Sequence, residues 1–179
     1  FLKKEAFIGL RLMNPVKKIR LSHNLIDTKS AKLFSRIKQR TQIRQEYVKD
    51  SRYRIYFWHK RTELYSRLRE LLEKHESVYT VSLGLSELLA NFSFVGEFAI
   101  DERRDEGAAA LDSVIPEEWT TVTFETGKEY FTASIPLEMD TERTVTQFGT
   151  VIYERNGKPV LARTPRYFQV GNGDKMLFL

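Results

Sequence analysis

The chain has no cysteine among its 179 residues, which removes disulfide staples, thiolate metal sites and cysteine nucleophiles together. Histidine is nearly as scarce. His23, His59 and His75 are the only three, and none has a second histidine or a cysteine at ligand spacing, so the pattern gives no support to a zinc site. No apolar run reaches the ~18 residues that a membrane span requires, and a secretory signal is missing. Phosphate-cradling glycine loops, a dinucleotide fingerprint and a G-x-S-x-G nucleophile turn are absent as well. Helix-turn-helix and finger spacings are also lacking, which leaves sequence-specific reading of duplex DNA without a vehicle. These absences fit a protein of a reducing cytoplasm that needs no metal and no cofactor. Phe1 stands where a methionine would open the chain, and the expectation is that its true start lies upstream.

Apolar residues make up 41% and charged residues 30%, a globular composition long enough to bury a core in one domain, or in a domain with an appended module. The net charge of +5 is unevenly spread. From Lys17 to Arg61 there are fourteen Lys or Arg against only Asp27, Glu46 and Asp50, a local +11, so the rest of the chain sums to −6. The stretch SRIKQRTQIR (35–44) alone carries four cations and no acid. One such run reads most simply as a solvated face; the split across the whole chain instead marks a surface that attracts a polyanion.

Periodicity places these charges. Residues 6–13 (AFIGLRLM) read as a mostly apolar strand, ended by Asn14-Pro15. Residues 16–25 alternate, with Lys18, Arg20 and Ser22 on one side and Lys17, Ile19, Leu21 and His23 on the other, as a basic half-exposed strand would. Lys32, Arg36, Arg40 and Arg44 recur every four residues, while Arg36, Lys38, Arg40, Gln42 and Arg44 recur every two. Repulsion between like charges at i, i+4, with Thr41 and Ile43 in the run, favours an extended 40–47, after an irregular or partly helical 31–38. Pairing of 40–47 with 16–25 makes a projecting basic hairpin arm. Residues 52–58 (RYRIYFW) form a strand with Tyr53, Ile55 and Phe57 expected on its core side. Thr62 is expected to cap a helix whose apolar face is Leu64, Leu68, Leu71 and Leu72, with Glu63–Arg67 and Glu70–Lys74 as ion pairs. Ser86 is expected to open a short helix through Leu89, and 91–100 to alternate as a strand. The expected class is α+β. Residues 1–100 supply most of an RRM-type or ferredoxin-like βαββαβ unit whose first strand and helix are missing. Residues 101–112 read as an acidic linker, and 113–179 as a small antiparallel β module with a hairpin at Asn156-Gly157.

Two chemistries fit this arrangement. Cations interleaved with aromatics and amides (Tyr47, Tyr53, Tyr56, Trp58, Asn24, Gln39, Gln42) suit single-stranded RNA, whose phosphates meet Lys and Arg while splayed bases stack. Gly84 ahead of Ser86 offers backbone N–H groups to an anion, or serves as an ordinary turn. Metal-free RNA cleavage needs a base, an acid and a cation for the developing phosphorane charge, and His59-Lys60-Arg61 beside Tyr56 is the candidate for it. The acids of 101–106 read as a solvated loop rather than a two-metal nuclease site.

Three stretches taken together, RLMNPVKKIRLSHNLID (11–27), RTQIRQEYVKDSRYRIYFW (40–58) and SVYTVSLGLSELLANFSFVGEF (77–98), resemble the fifth CRISPR-associated protein family. That family is the RAMP-type subunit of type I Cascade complexes, and the likeness is greatest to its type I-B-like branch. It covers about residues 5–100, through the order and spacing of the stretches rather than any catalytic motif. The resemblance implies an RRM-like domain with a basic β-hairpin thumb at about 14–47 and a small C-terminal sheet. It further implies a non-catalytic subunit for antiviral defence that holds the 5′ handle of the crRNA, beside a repeated backbone subunit and a large subunit, meeting target DNA only through the complex. The residues expected on RNA are Lys17, Lys18, Arg20, His23, Lys32, Arg36, Lys38, Arg40, Gln42, Arg44, Arg52, Gly84 and Ser86. One branch of the family cleaves precursor RNA with tyrosine, lysine and histidine; here only His59 and Lys60 approach that set, without a clear tyrosine partner.

Overall fold

The computed structural model describes residues 5–26, 35, 40–104 and 107–179. Two strands distant in sequence pair first. β1 (Ala6–Leu12) lies antiparallel to β4 (Tyr53–His59), from Ala6 opposite His59 to Leu12 opposite Tyr53. Between them run β2 (Lys17–Ile26) and β3 (Arg40–Lys49), which pair with each other along their whole length. The helix α1 (Thr62–Glu73) follows β4, and its leucine stripe is half-buried. Arg61, and not Thr62, occupies the N-cap position, without a side-chain cap bond. Glu70 gathers both Lys74 and Arg67, at 2.7 and 3.0 Å, which leaves the expected Glu63–Arg67 pair unformed. The helix ends with His75 at φ 58 and the Glu76 N–H donating to the Leu71 carbonyl, the left-handed closure usually given to glycine.

Nine further strands among the described residues form three small sheets. In one, β10 (Val145–Glu154) lies between β7 (Ile115–Pro116) and β9 (Tyr130–Met139). In the second, β11 (Val160–Arg163) lies between β6 (Ala108–Leu111) and β8 (Thr121–Val122). In the third, β12 (Tyr167–Val170) lies between β5 (Ile100–Arg103) and β13 (Lys175–Met176). The architecture is α+β and mostly β: small antiparallel sheets with one helix among the described residues.

Four expectations change. No helix follows Ser86; a tight turn closes there instead, with the Leu83 N–H on the Leu88 carbonyl and the Leu88 N–H on the Leu85 carbonyl. Residues 91–99 form no strand: Gly96 sits at φ 140, and Glu97 is drawn to α1 by Tyr65 and Arg69 at 2.8 and 3.0 Å. The expected linker 101–112 carries β5 and β6, each paired with a strand from the chain's last quarter. The turn at Asn156-Gly157 forms, with Gly157 at φ 74, yet β10 and β11 leave it for different sheets, so it is a corner and not a hairpin. Glu154, 1% exposed, holds that corner by accepting the N–H groups of Asn156 and Lys158 at 2.8 and 2.9 Å. Gly157 passes so close to β1 that a Cβ there would sit 2.8 Å from the Leu12 carbonyl oxygen.

The core lies under the later sheets. Leu111, Ile115, Val160, Ala162, Tyr167 and Leu177 make one buried cluster; Leu12, Val114 and Val151 make another, which brings β1 into it. Main-chain bonds from the Val114 N–H to the Leu10 carbonyl and from the Leu179 N–H to the Ile8 carbonyl tie β1 to that half of the chain. Asp174 ties in the other face of β1 and β4. Its carboxylate takes Arg11 and the Tyr56 hydroxyl, each at 2.5 Å, and Arg54 at 3.5 Å, while Arg11 also reaches Asp112 at 3.3 Å.

Burial pushes the Asp174 carboxyl up, but the bonds from Arg11 and Tyr56 and the charges of Arg11 and Arg54 outweigh it, so its net shift is downward. A carboxyl lowered by folding adds stability that is complete above the unfolded value of ~3.9 and is lost as pH falls through the folded value. Asp174→Asn should therefore cost about 3 kcal/mol at neutral pH, the scale of breaking one partner out of a shielded ion pair. In melting curves of both proteins across pH, the gap between them should close below pH ~4; an equal gap at every pH would locate the effect in packing.

Candidate nucleic-acid interface

The basic hairpin is built as its alternation requires. Residues directly opposite in an antiparallel pair share a face, so the register sorts the side chains into two sets. Lys18, Arg20, Ser22, Asn24 and Ile26 face Val48, Glu46, Arg44, Gln42 and Arg40. Lys17, Ile19, Leu21, His23 and Leu25 face Lys49, Tyr47, Gln45, Ile43 and Thr41. The first set is a cationic and amide surface; the second is apolar along its middle.

The arm stands away from the rest of the fold. Among the described residues, β2 and β3 make their extensive contacts only with each other, and neither contains a buried residue. The half-buried positions, Ile19, His23, Gln45 and Tyr47, all fall on the apolar face. There the Tyr47 hydroxyl meets His23 Nε2 at 2.9 Å and donates to Gln45 Oε1. Leu21, Leu25 and Ile43 remain exposed on the same side.

Asn14 brackets the root. Its amide donates to the Asp50 carbonyl at 2.6 Å and accepts the Arg52 N–H at 2.8 Å, joining the two strands where they leave β1 and β4. Asp50 turns there at φ 52. The Val16 N–H, bonded to the Arg155 carbonyl at 2.8 Å, fixes one rail to the C-terminal sheets. The Asn-Pro step announced a turn, but nothing local in the sequence announced this clamp.

The expected RNA-contacting residues separate into groups. Arg40, Gln42 and Arg44 stand exposed on the cationic face. Lys18 and Arg20 share it, yet both are paired with Glu46, at 2.7 and 3.2 Å. Lys17 and His23 belong to the opposite face, and Arg52 sits at the root. Lys32, Arg36 and Lys38 lie outside the described residues. Gly84 and Ser86 lie in the separate turn after α1, where Gly84 holds φ 93 and the Ser86 hydroxyl donates to Glu87 instead of capping a helix. Without that helix, the anion site expected at its N-terminus loses its basis.

His59 is 5% exposed; its Nδ1 accepts the Arg61 N–H at 2.9 Å, and its buried Nε2 has no partner among the described residues. The Lys60 N–H bonds the Glu5 carbonyl at 2.7 Å. The β4 faces also differ from expectation. Tyr53 and Ile55, expected on the core side, are exposed, Ile55 by 67%. Arg54 and Tyr56 lie on the side that meets the Asp174 carboxylate. Trp58 stays exposed against Phe7, ring centres 5.6 Å apart. Among the described residues no group of three or more His, Asp or Glu side chains is placed to hold a metal ion, and no helix is long and apolar enough to cross a membrane. No protein-family model, curated protein or solved structure matches the chain.

Glu46 is the acid within this surface. Hydrogen bonds from Lys18 and Arg20, with their charges, hold its carboxyl below the usual range, so it is ionised at neutral pH and offsets two nearby cations. Glu46→Gln should release both. The variant should leave a heparin column at higher salt than the parent, and elution at equal or lower salt would show that Lys18 and Arg20 do not face the polyanion.

Proposed function

We propose that the chain is a non-catalytic crRNA-binding subunit of a type I CRISPR Cascade complex, holding the 5′ handle of the guide RNA. The observation that carries this reading is the arm, a two-stranded ribbon with Arg40, Arg44, Lys18 and Arg20 on one exposed face. A rod of this kind neutralises phosphates along its length and keeps its charges in fixed register, as tracking of a polyanion requires. Amides interleaved with the cations suit single-stranded RNA, which shows its base edges, better than a duplex. The stretches that resemble the Cascade family include both arm strands and β4, and they supply the biological setting. In that setting β1, β4 and α1 are the remnant of an RRM-like domain, the arm is its thumb, and neighbouring backbone and large subunits complete the assembly.

The endoribonuclease alternative has weaker support. Cleavage needs an imidazole that can reach a 2′-hydroxyl, and the His59 ring is enclosed, with Nδ1 already engaged.

Binding of the full chain to labelled single-stranded guide RNA should weaken steeply with salt, at ~0.7 decade per decade of salt for each phosphate contact. Replacing Arg36, Lys38, Arg40 and Arg44 together by Glu should abolish binding. Retention of parental affinity by that variant at moderate salt would refute the arm as the RNA surface.

The two chemistries separate in a second assay. Incubated for hours with precursor RNA and EDTA, the protein should leave the RNA intact. Cleavage at one site, lost in His59→Ala, would make the ribonuclease reading the better one.

A further inference from the structure

On the cationic face, between the two arginines of β3, lies a pair of amides that no ion pair occupies. Asn24 stands directly opposite Gln42; the next pairs on that face are Ser22 with Arg44 on one side and Ile26 with Arg40 on the other. Both amides are exposed. Their mutual bond, Gln42 Nε2 to Asn24 Oδ1, is 3.4 Å long, beyond the 2.7–3.2 Å of an ordinary N–H···O bond, and it holds neither side chain firmly. Among the described residues it leaves Asn24 Nδ2 as a donor and Gln42 Oε1 as an acceptor on two exposed, facing side chains. Exchange of the two atoms of either amide would still present donors and acceptors together.

We propose that Asn24 and Gln42 form a base-reading position, taking one unpaired adenine of the RNA whose phosphates Arg40 and Arg44 hold. The proposal rests on the RNA-binding reading above and adds sequence preference to it. Each arginine is two residues from Gln42, about 7 Å along the strand at the usual rise. A backbone that meets both guanidiniums therefore carries an intervening base across the amides. An amide presents one donor and one acceptor, which match the N7 acceptor and the N6 amino donor of adenine; the same edge of guanine shows two acceptors and fits half as well. Replacing a weak solvent-facing amide contact by two bonds to a base sacrifices little. In this arrangement Arg40 and Arg44 are engaged with phosphates, which leaves the amide pair between them as the base-reading contact.

The test uses the full chain and two labelled oligouridylates of equal length, one carrying a single central adenosine. The parent should bind the adenosine oligonucleotide about tenfold more tightly, within the range of one bidentate base contact. Asn24→Ala with Gln42→Ala should bind both equally, at the parent's affinity for plain oligouridylate. Arg40→Ala with Arg44→Ala should weaken both by the same factor and keep the ratio. Equal binding of the two oligonucleotides by the parent would overturn the proposal. So would a preference that survives in the amide variant, since stacking and not edge recognition would then be its source. Salt-sensitive binding without base preference would leave the RNA reading standing and end this one alone, whereas no binding of either oligonucleotide would end both.

Discussion

One carboxylate joins the two parts of this protein. Asp174, at the turn between β12 and β13, gathers Arg11 from β1 and Arg54 and Tyr56 from β4. A two-stranded pair such as β1–β4 is marginal by itself. Its seat on the C-terminal sheets therefore depends on this charge cluster, on the Leu12 contact and on the main-chain bonds from Val114 and Leu179. The arm, rooted between β1 and β4, inherits its position from that seat. A carboxylate outside the arm thus helps to set where the cationic surface is held.

The arm shows how little machinery a polyanion surface needs. Strand period two assigns cations and amides to one side and aliphatic residues with the His23–Tyr47 pair to the other. Net attraction is then adjusted by a single acid, Glu46, rather than by the number of cations. Exposed Leu21, Leu25 and Ile43 give the opposite side a different character, so the ribbon divides its two surfaces between two chemistries.

Features set by neighbouring residues were legible in the sequence; features set by distant partners were not. The alternation of 16–25 and 40–47, the apolar 6–13 and the leucine stripe of α1 all form where the pattern places them, since each pattern carries its own period. Residues 91–99 alternate equally well and form no strand; Gly96 sits at φ 140 and Glu97 is held by Tyr65 and Arg69 of α1 instead. The acidic 101–112 read as a connector, yet Ile100–Arg103 and Ala108–Leu111 find edges on β12 and β11, roughly fifty or more residues onward. Asn156-Gly157 gave the right turn and the wrong topology, since a turn fixes local direction and leaves the choice of sheet to packing. The cations were legible by type, whereas the pairing of two of them with Glu46 depended on register.

The Asn14–Asp50 bracket gives the arm the mechanics of a cantilever. Ten facing positions fix the register of β2 against β3, so the spacing of groups along the ribbon is rigid and a slip by one residue would interchange its faces. Among the described residues the ribbon rests on little else, so bending or twisting it disturbs few contacts outside it. Spacing is thus discrete and orientation continuous. Such a beam can follow the curvature of whatever lies along it without losing the order in which its groups are presented.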